Sequence, residues 1–145
     1  MTAPAPNADD AFAHCRALVA EADEDFHLSI PYAPVRMRAW LAALFGFAIE
    51  LRRVPAMVRE APLGEIRLQW HREALGEIVA GKSPRAHPVI ALLAASGLVP
   101  AARARLETMI DARARLFYEP AFKSVDDLRA FLRGAEAPIA MLALG

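Results

Sequence analysis

The stretch from Ala39 to Val54 is apolar on every side of a helix, and such a helix must be enclosed by other helices. Trp40, Leu41, Leu44, Phe45, Phe47 and Ile49 leave no polar stripe along it, so it reads as the inner element of a bundle. Its uninterrupted apolar run, Ala39 to Ile49, is far short of the roughly 20 residues that cross a bilayer. The expectation is a soluble all-helical protein, with peripheral membrane contact left open and no transmembrane segment. A chain of 145 residues, 56% of them hydrophobic, is enough for one domain with its own core.

The rest of the chain supplies the enclosing helices. Segments rich in Ala, Leu, Arg and Glu alternate with Pro- or Gly-marked breaks, and none shows sustained period-two alternation. A first helix is expected over Asp9 to Glu24, followed by an extended turn around Pro31 and Pro34. The inner helix runs from about Val35 to Val54 and stops at Pro55. A third begins near Pro62, a residue suited to a first helical turn, and ends before Gly81, burying Ile66, Trp70, Ala74 and Ile78. A fourth is expected from Ser83-Pro84 to Gly97. A fifth covers Ala101 to Tyr118, with Leu106, Met109, Ile110, Arg113 and Phe117 at helical spacing. Ser124 caps a short sixth, with Asp127 completing a capping box. The last residues, Ala137 to Gly145, have no polar face and should not be left in water. They either pack back, meet another chain, or lead into further helices.

Charge narrows the function classes. The 17 Lys+Arg balance 17 Asp+Glu, which gives no broad reason to expect nucleic acid. One cysteine, Cys15, cannot form an internal disulfide and suits a reducing, cytoplasmic setting. Residues 1–10 are Pro/Ala-rich and acidic, without a basic start or an apolar core. They read as a disordered tail rather than a signal peptide, ahead of a helical domain over residues 11–145.

Each candidate for chemistry has a plainer reading. Carboxylates four residues apart share a helix face and can hold Mg²⁺. Glu21/Asp25, Glu73/Glu77 and Glu107/Asp111 have that spacing. The first pair belongs to an acidic cluster with Asp23 and Glu24, expected as a solvated helix end. It is the unfavourable end for the helix dipole, so a partner is expected to stabilise it. Glu73/Glu77 reads as exposed, and Glu107/Asp111 as surface pairing with Arg103 and Arg115. His14 and Cys15 are neighbours in sequence and point to different faces, which weighs against a thiol–imidazole nucleophile. His27 and His71 have no second ligand at a useful spacing, and His87-Pro88 opens a helix. Zinc-site spacings, a Gly-rich phosphate loop and a Gly-x-Ser-x-Gly elbow are absent. No catalytic residue and no metal ligand is assigned. Arg36, Arg38, Arg52, Arg53 and Arg59 gather around the inner helix. Of these, Arg38, Arg52 and Arg53 are the candidates to receive a diphosphate or an acidic partner surface.

Five segments together resemble a known family. Pro34-Val35-Arg36-Met37-Arg38-Ala39-Trp40-Leu41-Ala42-Ala43-Leu44-Phe45-Gly46-Phe47 is similar to the Arg-Ala-x-x-x-Ala-Leu-Tyr-Ala-Phe helix of squalene/phytoene synthases. Gly64 to Leu75 (GEIRLQWHREAL) looks like that family's following helix, and His87-Pro88-Val89 stands in the place of its His-Pro-Val. Ile110-Asp111-Ala112-Arg113 and then Asp127 to Leu132 resemble the next two segments. The resemblance implies an all-α bundle of the isoprenoid synthase type, represented by roughly its N-terminal half. It also implies a lipid-like cavity, for which Leu44, Phe45, Phe47 and Trp70 are the expected lining.

The departures from the family carry the functional expectation. Its enzymes join two prenyl diphosphates with Mg²⁺ held by two Asp-x-x-x-Asp motifs. The first should fall near Arg52 and Ala56, where the chain reads Glu50-Leu51-Arg52-Arg53-Val54-Pro55-Ala56. An arginine there reverses the local charge. The second motif lies beyond residue 145, and the family's Ser-x-Ser-Phe-type diphosphate contact is replaced by Asp23-Glu24-Asp25-Phe26. Glu50 with Gly64–Leu75 is closer to the non-catalytic branch that includes an assembly factor for mitochondrial complex I. The expectation is therefore a protein without cofactor that binds an isoprenoid or lipid, or a protein partner, a homodimer partner included. The alternative is a farnesyl or geranylgeranyl diphosphate transferase completed by a second chain, and only that reading requires Mg²⁺.

Overall fold

Asn7 opens the first helix by accepting the Asp10 backbone N–H at 2.8 Å. Asp9 and Asp10 occupy its first turn, where the helix dipole favours negative charge. The computed structural model describes residues 3–145; Met1 and Thr2 of the expected tail lie outside the described residues. Helix α1 spans Ala8–Ala22. It ends two residues earlier than expected because Asp23 turns the chain extended and caps a new helix, accepting the Phe26 N–H at 3.0 Å. That helix, α2 (Glu24–Ser29), and the 3₁₀ turn Ile30–Tyr32 replace the expected extended turn. The acidic cluster is thereby corrected. Asp23, Glu24 and Asp25 stand at the favourable N-terminus of α2, not at the unfavourable end of α1.

Helix α3, Val35–Met57, is the inner helix, and every residue from Trp40 to Ile49 is buried. It runs through Pro55, where a stop was expected. Proline removes only one N–H donor, and in the last turn the loss is confined to a single helical hydrogen bond. Helix α4, Ala61–Val79, has Pro62 in its first turn as expected. Its buried face differs: Gly64, Leu68, His71, Ala74 and Leu75 are inside, while Ile66 is 66% exposed and Trp70 half-buried. Four-residue spacing fits two neighbouring stripes of a helix equally well, and the buried one is selected by packing against α6 and the Phe117 ring. That ring lies so close over Gly64 that a Cβ there would collide with it.

Helix α5 is Pro88–Ser96, shorter than expected. Arg85 holds the preceding loop irregular, because its guanidinium is spent on α4. It donates to both Glu77 oxygens at 2.8 Å and to Glu73 at 3.2 Å, and it lies over Trp70. Gly97 ends α5 with φ +69°, a conformation glycine adopts without strain. Helix α6, Val99–Ala114, tightens into a 3₁₀ turn over Arg115–Phe117. Ser124 caps α7, Val125–Ala135, as expected, but the Asp127 carboxylate reaches the Lys123 N–H at 2.9 Å instead of closing a box on Ser124. Asp127 also takes Arg115 at 2.7 Å. Asp111 pairs with Arg72 of α4, so the expected ladder keeps only its Arg103–Glu107 rung.

Helix α8, Ala137–Leu144, packs back onto the bundle. Pro138 and Ile139 are buried, and the Trp40 indole donates to the Leu142 carbonyl at 2.9 Å. Helices α1, α3 and α5 pack together as one set and α4, α6 and α7 as another, with α8 against α3, α6 and α7. No strand occurs among the described residues, and no helix there is long and apolar enough to cross a membrane.

Candidate functional site

Ten consecutive buried residues on α3 end at Glu50, whose side chain is 19% exposed. A carboxylate so placed must be hydrogen-bonded or protonated. Two imidazoles meet it from different elements. His71, on the buried face of α4, puts Nε2 3.4 Å from Oε2, and His87, just before α5, puts Nε2 3.2 Å from Oε1. The His71 Nδ1 lies 2.8 Å from the Arg67 carbonyl, which can only accept, so that nitrogen carries a proton. Trp70 stands edge-on to both imidazoles, with centroids 5.0 and 5.3 Å away. Phe47 of the core meets His71 edge-on at 5.7 Å.

Burial alone would raise the Glu50 carboxyl, but the hydrogen bonds and charges of His71 and His87 outweigh it and hold it below the usual range. Glu50 therefore contributes stability as an anion. The contribution is complete above the ordinary glutamate value of about 4.3 and is lost as pH falls through the lowered one. Glu50→Gln is expected to cost about 1–2 kcal/mol at pH 7, and less as the pH drops below 4. Urea unfolding of both proteins from pH 3 to 7 checks this; a gap that stays constant throughout would show the charge has no part in it.

These three residues floor a groove of about 540 Å³ between α3 and α4. Val54, Met57, Ile66 and Trp70 form its apolar wall, with Arg53 and Arg67 also lining it and exposed. The imidazoles occupy opposite oxygens of one carboxylate, and among the described residues no three His, Cys, Asp or Glu are arranged to hold a metal ion.

The expected site residues divide. Arg53 and Trp70 reach the groove, Arg53 also facing Glu21 at 3.8 Å. Arg38 donates to the Ala33 and Pro31 carbonyls at 3.0 and 2.8 Å, fixing the turn before α3. Leu44, Phe45 and Phe47 are core residues away from the groove; Phe45 stacks on Phe26 at 4.1 Å. Arg52 lies between two carboxylates, Asp23 at 3.3 Å and Glu136 at 2.5 Å, and over the Phe26 ring. Burial would lower its guanidinium, and Glu136 and Asp23 reverse that and hold it above its ordinary value. Glu136 also takes Arg113, which is nearly buried. Cys15 is fully buried while His14 is exposed, so they form no pair. Burial, with the Glu50 charge adding to it, pushes the Cys15 thiol up to about 12, which leaves it inert.

Sequence reasoning missed the Glu50–His71–His87 group by treating His71 as isolated. One signal was available: Glu50 is the first charged residue after the apolar run, and a buried charge needs a partner. A family profile, squalene/phytoene synthase, matches the chain over residues 19–145. The chain belongs to the squalene/phytoene synthase family. Its helices are accordingly those of an all-α, isoprenoid synthase-type fold. Among known relatives, this family member is 23% identical over 142 residues to the rat NADH dehydrogenase (ubiquinone) complex I, assembly factor 6. The match covers 98% of the chain and 43% of that protein, so the chain spans less than half the relative's length. No solved structure matches.

Proposed function

We propose that this squalene/phytoene synthase family member works by binding, without metal-dependent prenyl transfer. Its ligand is an isoprenoid-like amphipathic molecule held in the α3–α4 groove, and its role is that of an interaction or assembly protein. The observation that carries this is Arg52. It stands on α3 where the family resemblance puts a Mg²⁺-binding aspartate, and two carboxylates already neutralise it. A divalent cation brought there would meet a guanidinium held in place, and displacing it would strand Asp23 and Glu136. The assembly role is supported by the rat relative, which is named an assembly factor. The reading includes a cytoplasmic setting and peripheral contact with a membrane that supplies the lipid.

A second reading, a prenyl-diphosphate transferase completed by a separate chain, draws support from α7. That helix exposes Val125, Leu128 and Leu132 on one side. One assay separates the two. The purified chain, given farnesyl or geranylgeranyl diphosphate and Mg²⁺, is expected to release no pyrophosphate. Turnover by the chain alone sinks the binding reading. Turnover only after addition of a chain bearing further helices of the family favours the second.

A further inference from the structure

Counted by charge, the lining of the groove is cationic. Two guanidinium groups, Arg53 and Arg67, stand against one carboxylate, and the His71 and His87 imidazoles add positive charge or none. Glu50 is already engaged at both oxygens and only 19% exposed. Arg67 is exposed on α4 and pairs with no carboxylate among the described residues. Arg53 meets only Glu21, at 3.8 Å with both side chains exposed, a pair worth little in water. The Trp70 indole N–H is a further donor in the lining without a partner. Other carboxylates lie outside the groove. Glu65 and Glu73 line a recess beyond Ile66 and Trp70, where Glu73 takes Arg85, and Glu60 shares a third recess with Arg59.

The groove also has its own face of α3. Glu50, Arg53, Val54 and Met57 line it at helical spacing, whereas Arg52 is not among its walls and is held by Asp23 and Glu136. Resting on the proposed isoprenoid-binding role, we infer that the groove takes an apolar chain with a single anionic head, a carboxylate or a monophosphate, and holds it without a metal ion. The head accepts from the Arg67 guanidinium and the Trp70 N–H, with Arg53 on the opposite wall. The chain covers Val54, Met57 and Ile66, the last two more than half exposed without it.

Farnesoate, farnesyl monophosphate and farnesol are titrated calorimetrically into the 145-residue chain, below their micellar concentrations and with a chelator present. At least one anion is expected to bind about tenfold more tightly than the alcohol, the gain of one charge-assisted hydrogen bond. Comparison of the two anions identifies the head group. Arg67→Gln is expected to lower anion affinity roughly fivefold and to leave farnesol unchanged. Arg105→Gln, at an exposed position on α6 outside the groove, should change neither. Farnesol binding as tightly as both anions overturns the inference and leaves the isoprenoid-binding role standing. An Arg67→Gln effect that is absent, or matched by Arg105→Gln, overturns it too, since net charge alone would then attract the anions. Binding by none of the three removes both. Should Arg67→Gln fail to fold by circular dichroism, Arg53→Gln carries the same prediction.

Discussion

Glu136→Ala is expected to destabilise the protein by about 3 kcal/mol, because one deletion leaves two guanidinium groups without their shared carboxylate. Arg113 is 8% exposed and Arg52 about a third exposed at its side chain. Removing one member of a buried ion pair costs roughly 3–5 kcal/mol. The lower part of that range applies because Glu136 and Arg52 each keep some contact with water. Burial already lowers the Arg113 guanidinium despite Glu136, and nearby Arg52 lowers it further. With the carboxylate gone, the two cations would face each other with less screening between them. Urea unfolding at pH 7 measures the loss, and Glu136→Gln should recover only part of it. A cost below 1 kcal/mol would mean that water replaces the carboxylate.

The other large effect lies in the core. Phe47→Ala should cost about 4 kcal/mol, as ring deletion at a fully buried position typically costs roughly 3–5. Phe47 is 0% exposed, and α3 is enclosed there by other helices, so little can collapse into the void. Its ring also meets His71 edge-on, so the deletion should loosen the Glu50 contact as well as the core. The check is the unfolding midpoint of the variant in urea. A loss of under 2 kcal/mol would show that the core repacks.

How far the sequence could be read follows from the physics of each element. The inner helix was legible because an apolar surface on all sides has one solution, enclosure. Helix ends were legible where a cap announced them, as at Ser124 and Gly97. They were misread where a partner on another helix decided the outcome, as at Arg85, and where a local cap broke a continuous helical pattern, as at Asp23. The α4 face was misassigned because Ile66 and Trp70 share the spacing of a buried stripe while lining a groove. Arg52 was legible as a charge reversal but not as the centre of an ion cluster, since Glu136 lies 84 residues away in the chain. The same separation hid the floor of the groove, which depends on three elements meeting.

Two sets of helices, α1/α3/α5 and α4/α6/α7, make up the body of the protein, and Glu50 sits on the border between them. His71 belongs to the second set, and His87 leads into α5 of the first. The carboxylate is thus a fastener across a seam as well as the floor of a recess. A guest that draws on its lone pairs changes the strength of the fastening, and anything that shifts one set against the other changes what the guest finds. Under the proposed binding role, filling the recess and tightening the seam are linked equilibria, and each reports on the other in equal measure.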